Sequence, residues 1–273
     1  MIPLSQVQGS ALAAGGIFFF NTGETMAATT LRVTLLAHTP EPLSLIYAAF
    51  RQCYHPGYVA EMWPKLLSGE ISREKQTDFV ARILESGHES PIEHVSFTFA
   101  VAGVSRALSH QLVRHRLASY SQQSQRYVRA EAFDYVLPPA IAAIPEAKAA
   151  FEAAMARAGE AYAVIRDLLA GHGREATANE DARFVLPNAC ETRIVVTMNC
   201  RSLLHFFGLR CCVRAQWEIR ALSDEMLRLS REVLPVIFSG AGARCERLGY
   251  CPEDERFSCG RYPARPKNPS RPS

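Results

Sequence analysis

The chain has 273 residues, 48% hydrophobic and 21% charged, with 16 glycines and 16 prolines, a composition that excludes a disordered or fibrous protein and suffices for a full core in one main domain. A formal net charge of +3 is too small to demand nucleic acid as a partner, although a few clustered arginines suffice for a small anion. No apolar run reaches the ~20 residues that cross a bilayer, and Ala11 to Phe20 has no basic segment ahead of it, so the chain reads as cytoplasmic with no membrane partner.

Residues 1–30 show no periodicity and read as a tail. Leu31 to Ala37 reads as a strand, followed by helices over Glu41 to Tyr54 and Ser72 to Ser86, the second capped by Ser72 and stopped by Gly87. Val95, Phe97, Phe99 and Val101 alternate with smaller or polar residues, the mark of a half-buried strand that Gly103 should end. Ser105 can cap the next helix, in which Leu108, Leu112 and His115 share a face. Leu117 to Gln125 is rich in hydroxyls and amides that compete for backbone hydrogen bonds, and it reads as a binding loop. Phe133 to Leu137 then reads as a strand, Ala140 to Leu169 and Glu175 to Leu186 as helices, and Thr192 to Asn199 as a strand. Asn199 can cap a short helix ended by Gly208, and a long helix is predicted over Val213 to Phe238 with Pro235 disturbing its last turn. Strands separated by long helices without a regular βαβ beat predict an α+β fold, a mostly antiparallel twisted sheet flanked by long helices. Residues 31–240 form the main domain and 241–273 a loop-like, cysteine-containing tail.

Two polar clusters could carry chemistry. In RHRLASYSQQSQRY, residues 114–127, Arg114, Arg116 and Arg126 could neutralise a phosphate or pyrophosphate through their planar forks of donors; a solvated basic helix end is the other reading. In NCRSLLHFFGLR, Asn199, Arg201, Ser202, His205 and Arg210 gather, with Arg183 in DARFVLP, and the two clusters look like two walls of an anion site. Singly, Arg183 or Arg201 could be a surface ion pair and His205 a core histidine. GHESPIEH, residues 87–94, sets His88 and His94 six apart with Pro91 between them, the wrong spacing for a helical zinc site, and a ligand-presenting turn fits better. Neither Cys190 nor Cys200 has a base near it in sequence, so no cysteine nucleophile is assigned.

Arg-His-Arg, seven residues and then Ser124, with GHESPIEH before it and NCRSLLHFFGLRCCVRAQWEIR after it, resembles the flavin-dependent thymidylate synthases across about residues 31–240. The resemblance implies that family's α+β fold, a homotetramer with active sites shared between subunits, and FAD as cofactor. It implies conversion of dUMP to dTMP, with methylenetetrahydrofolate as one-carbon donor and NADPH as reductant. By position it implies that Ser90, Arg114, His115, Arg116, Gln122, Asn199, Cys200, Arg201 and His205 contact FAD. It further implies that Gln111, Leu112, Val113, Arg114, Gln122, Gln123, Ser124, Gln125, Arg126, Arg183 and Arg210 surround dUMP. Arg210 is the expected catalytic residue: a fixed cation that polarises or ionises N3 of uracil makes C5 nucleophilic without covalent attack. The chain departs from the commoner family loop, having Ser121 and Gln122 where Asn and Glu are usual, so a neutral amide replaces a carboxylate.

Cys245, Cys251 and Cys259 lie outside the resemblance. With Cys211 or Cys212 they could ligate a structural metal, or be spare thiols. Two other readings stay open: an RNA-binding module with a cysteine-ligated tail, and a flavoprotein modifying another nucleotide.

Overall fold

The computed structural model describes residues 26–253 and 255–265. Four antiparallel strands, β1 Arg32–His38, β2 Ser96–Ser105, β3 Ser119–Gln122 and β4 Glu191–Asn199, form one sheet in the order β1-β2-β4-β3. The helices are α1 Pro42–Tyr54, α2 Trp63–Leu67, α3 Arg73–Glu85, α4 Arg106–Leu112, α5 Pro139–Ala142, α6 Pro145–Leu169, α7 Glu175–Ala182, α8 Cys200–Arg210, α9 Trp217–Val233, α10 Pro235–Phe238 and α11 Arg244–Leu248. The fold is therefore α+β, as expected. Among the described residues, no helix is long and apolar enough to cross a membrane.

Alternation in β2 and β4 builds the core. Phe97, Phe99 and Val101 stand opposite Met198, Val196 and Ile194, all six are buried, and the period of two puts them on one face of the sheet. Helices α1, α8, α9 and α10 add Ile46, Phe50, Phe206, Phe207, Met226 and Phe238 to the same core. On the opposite face Thr98 and Thr197 join their hydroxyls at 2.9 Å. A smaller cluster of Phe133, Tyr135, Met155 and Cys190 attaches α6, which folds back on α7 across a kink at His172 and Gly173.

Several predicted boundaries are corrected. Gly103 does not end β2 but makes a bulge in it at φ 69°, where a Cβ would fall 1.8 Å from the Thr30 carbonyl oxygen; only glycine fits. The predicted loop contains β3, an edge strand whose backbone pairs Ser119 with Thr197 and Gln122 with Ile194. Phe133 to Leu137 is not a strand, although Tyr135 makes single bridges to Ala28 and Cys190. Residues 26–30, assigned to the tail, are thus partly tied to the body; residues 1–25 lie outside the described ones. The predicted Ala140 to Leu169 helix is two, α5 and α6, and α7 stops at Ala182 before a single 3-10 turn, Arg183–Val185. Helix α8 runs through Gly208 to Arg210, and α9 starts only at Trp217, where the Gln216 side chain accepts from the Glu218 and Ile219 amides. Leu234, ahead of Pro235, leaves the helical region at φ −139° and ψ 68°, the restriction that proline places on its predecessor. The tail after residue 240 is not merely a loop. It forms α11 and a bridge between Cys251 and Ala264, with Cys245 and Cys251 buried.

Side-chain caps at Ser105 and Asn199 start α4 and α8 as the sequence indicates, Ser105 Oγ accepting from the Leu108 amide at 3.0 Å and Asn199 Oδ1 from the Ser202 amide at 2.9 Å. The first cap has a buried partner that sequence reading missed. The Glu218 carboxylate on α9 accepts from the Ser105 amide at 2.6 Å and from its hydroxyl at 2.7 Å. Burial raises the Glu218 pKa above the usual range, and the Ser105 donors only partly oppose that. Glu218→Ala would strand a buried N–H at the start of α4, so we expect about 2 kcal/mol of lost stability in denaturant unfolding; Glu218→Gln, which keeps an acceptor, should lose less.

Candidate active site

The residues implied by the resemblance divide between two places. At the first, the turn after α4 brings Arg114, His115 and Arg116 against Asn199, Arg201, His205 and Arg210 from the start and end of α8, and together they line a cavity of about 730 Å³. The two groups are 95 residues apart at their contact, where Arg210 Nε donates to His115 Nε2 at 3.0 Å. This fixes the His115 tautomer with its proton on Nδ1. Edge contacts to Phe206 and His205 hold the ring. Burial first, then Arg210 and His205, lower the His115 pKa from 6.5 to about 4. Burial also lowers that of Arg210, which remains a cation.

Arg201 is oriented by carboxylates of the GHESPIEH segment, paired with Glu93 and, at 3.8 Å, with Glu89. Glu93 itself lines the cavity, whereas Ser90 sits on the exposed side of the same turn, its hydroxyl 3.1 Å from His88 Nε2. Cys200 is fully buried, with its thiol pKa pushed up by burial, so only its backbone can face a ligand. Tyr120, not singled out from sequence, shares its hydroxyl proton between the Leu112 and His115 carbonyls at 2.8 and 2.9 Å. That pins the turn leaving α4, and burial pushes the Tyr120 pKa up to about 12.

The second place lies beyond the far end of β3. Gln123, Ser124 and Gln125 line a cavity of about 470 Å³ with Arg129, Asp134, Thr192 and Arg193, four residues that sequence motifs did not mark. Ser124 Oγ accepts from the Arg126 amide at 3.2 Å, while the Arg126 guanidinium pairs with Glu180 at 2.8 Å. Gln122 donates through Nε2 to Thr192 Oγ1 at 3.0 Å. Burial first, and the nearby Arg183 guanidinium to a lesser degree, lower the Arg106 pKa. Of the remaining residues implied at the nucleotide, Gln111 is half-buried and Val113 exposed at the end of α4, and the Leu112 side chain is in the core.

Four strand residues, roughly 13 Å of chain, separate the two clusters, so within one chain they do not meet. Among the described residues no three His, Cys, Asp or Glu side chains gather to hold a metal ion. Cys190 is buried with its thiol pushed up to about 11, which suits a packed thiol and not a nucleophile.

The depressed His115 pKa has a consequence for stability. The folded state resists protonation here, so this contribution is complete above about pH 6.5 and is lost as the pH falls toward about 4. His115→Gln should flatten the stability profile in that window when unfolding is followed at several pH values; an unchanged profile would mean that His115 titrates normally.

A family model described as thymidylate synthase complementing protein matches residues 34–236. The flavin-dependent thymidylate synthase of Nitratidesulfovibrio vulgaris is 70% identical over 245 residues, 89% of this chain and 100% of that protein. That of Geobacter sulfurreducens is 49% identical over 233 residues, 85% of this chain and 94% of that protein. Among solved structures, the flavin-dependent thymidylate synthase ThyX of Helicobacter pylori with FAD and dUMP is similar in fold, with a TM-score of 0.58 at 23% identity over 77% of this chain and 99% of that one. The UMP/dUMP methylase PolB of Streptomyces cacaoi gives 0.63 at 22% over 78% and 95%. With the three motifs now placed on one fold, this chain belongs to the flavin-dependent thymidylate synthase family.

Proposed function

We propose that the protein methylates dUMP to dTMP, with methylenetetrahydrofolate as one-carbon donor, NADPH as reductant and FAD as cofactor, in a homotetramer whose active sites are shared between subunits. One observation carries the assembly: the cavity lined by Arg114, His115, Arg116, Arg201 and His205 and the cavity lined by Gln123, Ser124 and Gln125 lie apart on one chain. Two copies can bring the two walls together.

The residues present fit a flavin dinucleotide. Arg114, Arg116 and Arg201 offer forks of donors suited to a pyrophosphate. A neutral His115 adds a hydrogen-bonding ring without further charge, and the cavity is concave and partly apolar. When bound, the flavin supplies the hydride chemistry.

Arg210 acts on the pyrimidine. Its guanidinium, held by His115, stabilises charge on N3 and the flanking carbonyl oxygens of uracil, which makes C5 the nucleophile without a thiol adding to the ring. Ser124 and Arg126 hold the 5′-phosphate, for which Arg126 must exchange its exposed pair with Glu180, a cheap rearrangement. Gln111, Val113 and the Leu112 backbone approach the base from the α4 end. Ser90, Cys200 and Asn199 contribute to flavin binding through the turn and the α8 N-terminus.

The purified protein should be yellow, should oxidise NADPH in a dUMP-dependent manner, and should form dTMP only when methylenetetrahydrofolate is also present. A colourless protein, or oxidation indifferent to dUMP, would overturn the reading. Arg210→Ala should lower kcat by about a hundredfold or more with flavin absorbance retained, and Arg210→Lys should not restore it, because lysine lacks the Nε that His115 accepts from. Full activity in Arg210→Ala would remove Arg210 from the chemistry.

A further inference from the structure

A further cavity of about 730 Å³ lies between α3, α8, α10 and α11, and Arg201 and His205 line both it and the flavin cavity. Those two residues are four apart on α8, hence neighbours on one helical face. The apolar lining includes Leu84, Leu204, Val236 and Ile237, and the charged lining sets Arg201 with Arg244 and Arg247 of α11 against the carboxylates of Glu85 and Glu89. A planar ring and an oxyanion could both be accommodated.

Arg201 is held by Glu93, whereas the α11 cations are held loosely. Glu89 is shared between Arg247 at 3.5 Å and Arg201 at 3.8 Å, and such exposed pairs contribute little. Arg244 meets no carboxylate among the described residues. Its stem instead crosses α8 at Gly208, where a Cβ would stand 3.3 Å from Arg244 Cγ. Glycine within a helix costs about 1 kcal/mol relative to alanine, and here it gives the arginine its path. Both α11 arginines lie beyond residue 236, where the family match ends.

We propose that this cavity seats the anionic end of a co-substrate whose other end reacts in the flavin cavity. The shared chemistry is a cluster of oxyanions beside an aromatic ring, either the 2′-phosphate next to the adenine of the nicotinamide dinucleotide or the glutamyl carboxylates that follow the aminobenzoyl ring of the folate. The inference rests on the function proposed above, which requires both co-substrates.

The test uses the full-length, flavin-loaded protein and two variants, the double Arg244→Gln/Arg247→Gln and the single Arg247→Glu. Calorimetric titration with 2′,5′-ADP probes the phosphate source, and tri-γ-glutamate probes the carboxylate source. We expect one probe to bind wild type and to weaken about tenfold in the double variant. The KM of the corresponding co-substrate should rise in parallel, and the single variant should show the same selectivity. Weakening of 2′,5′-ADP assigns the cavity to the dinucleotide, and weakening of triglutamate assigns it to the folate. Three results would overturn the proposal: neither probe binds wild type, both bind the variants unchanged, or the variants lose flavin absorbance, which would give the cavity to FAD. Wild-type protein without dUMP-dependent turnover would sink the functional reading instead, whereas normal turnover with unaltered probe binding in both variants would sink only this one.

Discussion

The β3–β4 ladder sets the geometry on which the site depends. Backbone hydrogen bonds pair Ser119 with Thr197 at one end and Gln122 with Ile194 at the other, and β4 is itself paired to β2 through the buried rows of the core. A strand held on such a ladder cannot shorten, and a register slip would turn its buried face outward. The arginine-rich turn before β3 and the Ser124 loop after it are therefore kept apart in each copy. That separation, fixed by the strand's length, is the geometry on which the proposed sharing of active sites between subunits rests.

The first wall is organised by contacts that start well away from it. Glu218 on α9 fixes the beginning of α4 through Ser105, and Tyr120 on β3 fixes its exit by donating to the Leu112 and His115 carbonyls. His115 then receives Arg210 from the end of α8, while Glu89 and Glu93 orient Arg201 at the start of that helix. Each cation entering the cavity adds to an unfavourable local field. A neutral imidazole between them lets His115 take part without adding charge.

Much of this was legible in the residues. The alternation of Phe97, Phe99 and Val101, the caps at Ser105 and Asn199, and the clustering of Arg114, His115 and Arg201 all have local signatures. Strand β3 does not: Ser119, Ser121 and Gln122 are poor strand formers, and the strand exists because β4 offers a free edge and Tyr120 can turn into the core. Glycine misleads for a related reason. At Gly103 it marks a bulge demanded by the Thr30 backbone, and at Gly208 it sits inside a helix beneath Arg244, and neither neighbour is close in sequence. Arg129, Asp134, Thr192 and Arg193 escaped notice because only the fold gathers them beside Ser124. The Gln122 amide donates to the buried Thr192 hydroxyl, but that hydroxyl could equally donate to a carboxylate, so the contact does not explain the amide.

The shared site is tested most directly by subunit complementation. One inactive variant carries Arg210→Ala in the flavin wall, and the other carries Ser124→Ala with Arg126→Ala in the nucleotide wall. Dissociated together and reassembled in equal amounts, they should regain about a quarter of wild-type turnover, as random pairing of two intact walls requires, while each alone stays inactive. No recovery in verified mixed oligomers would place both walls of each active site in a single chain and contradict the account.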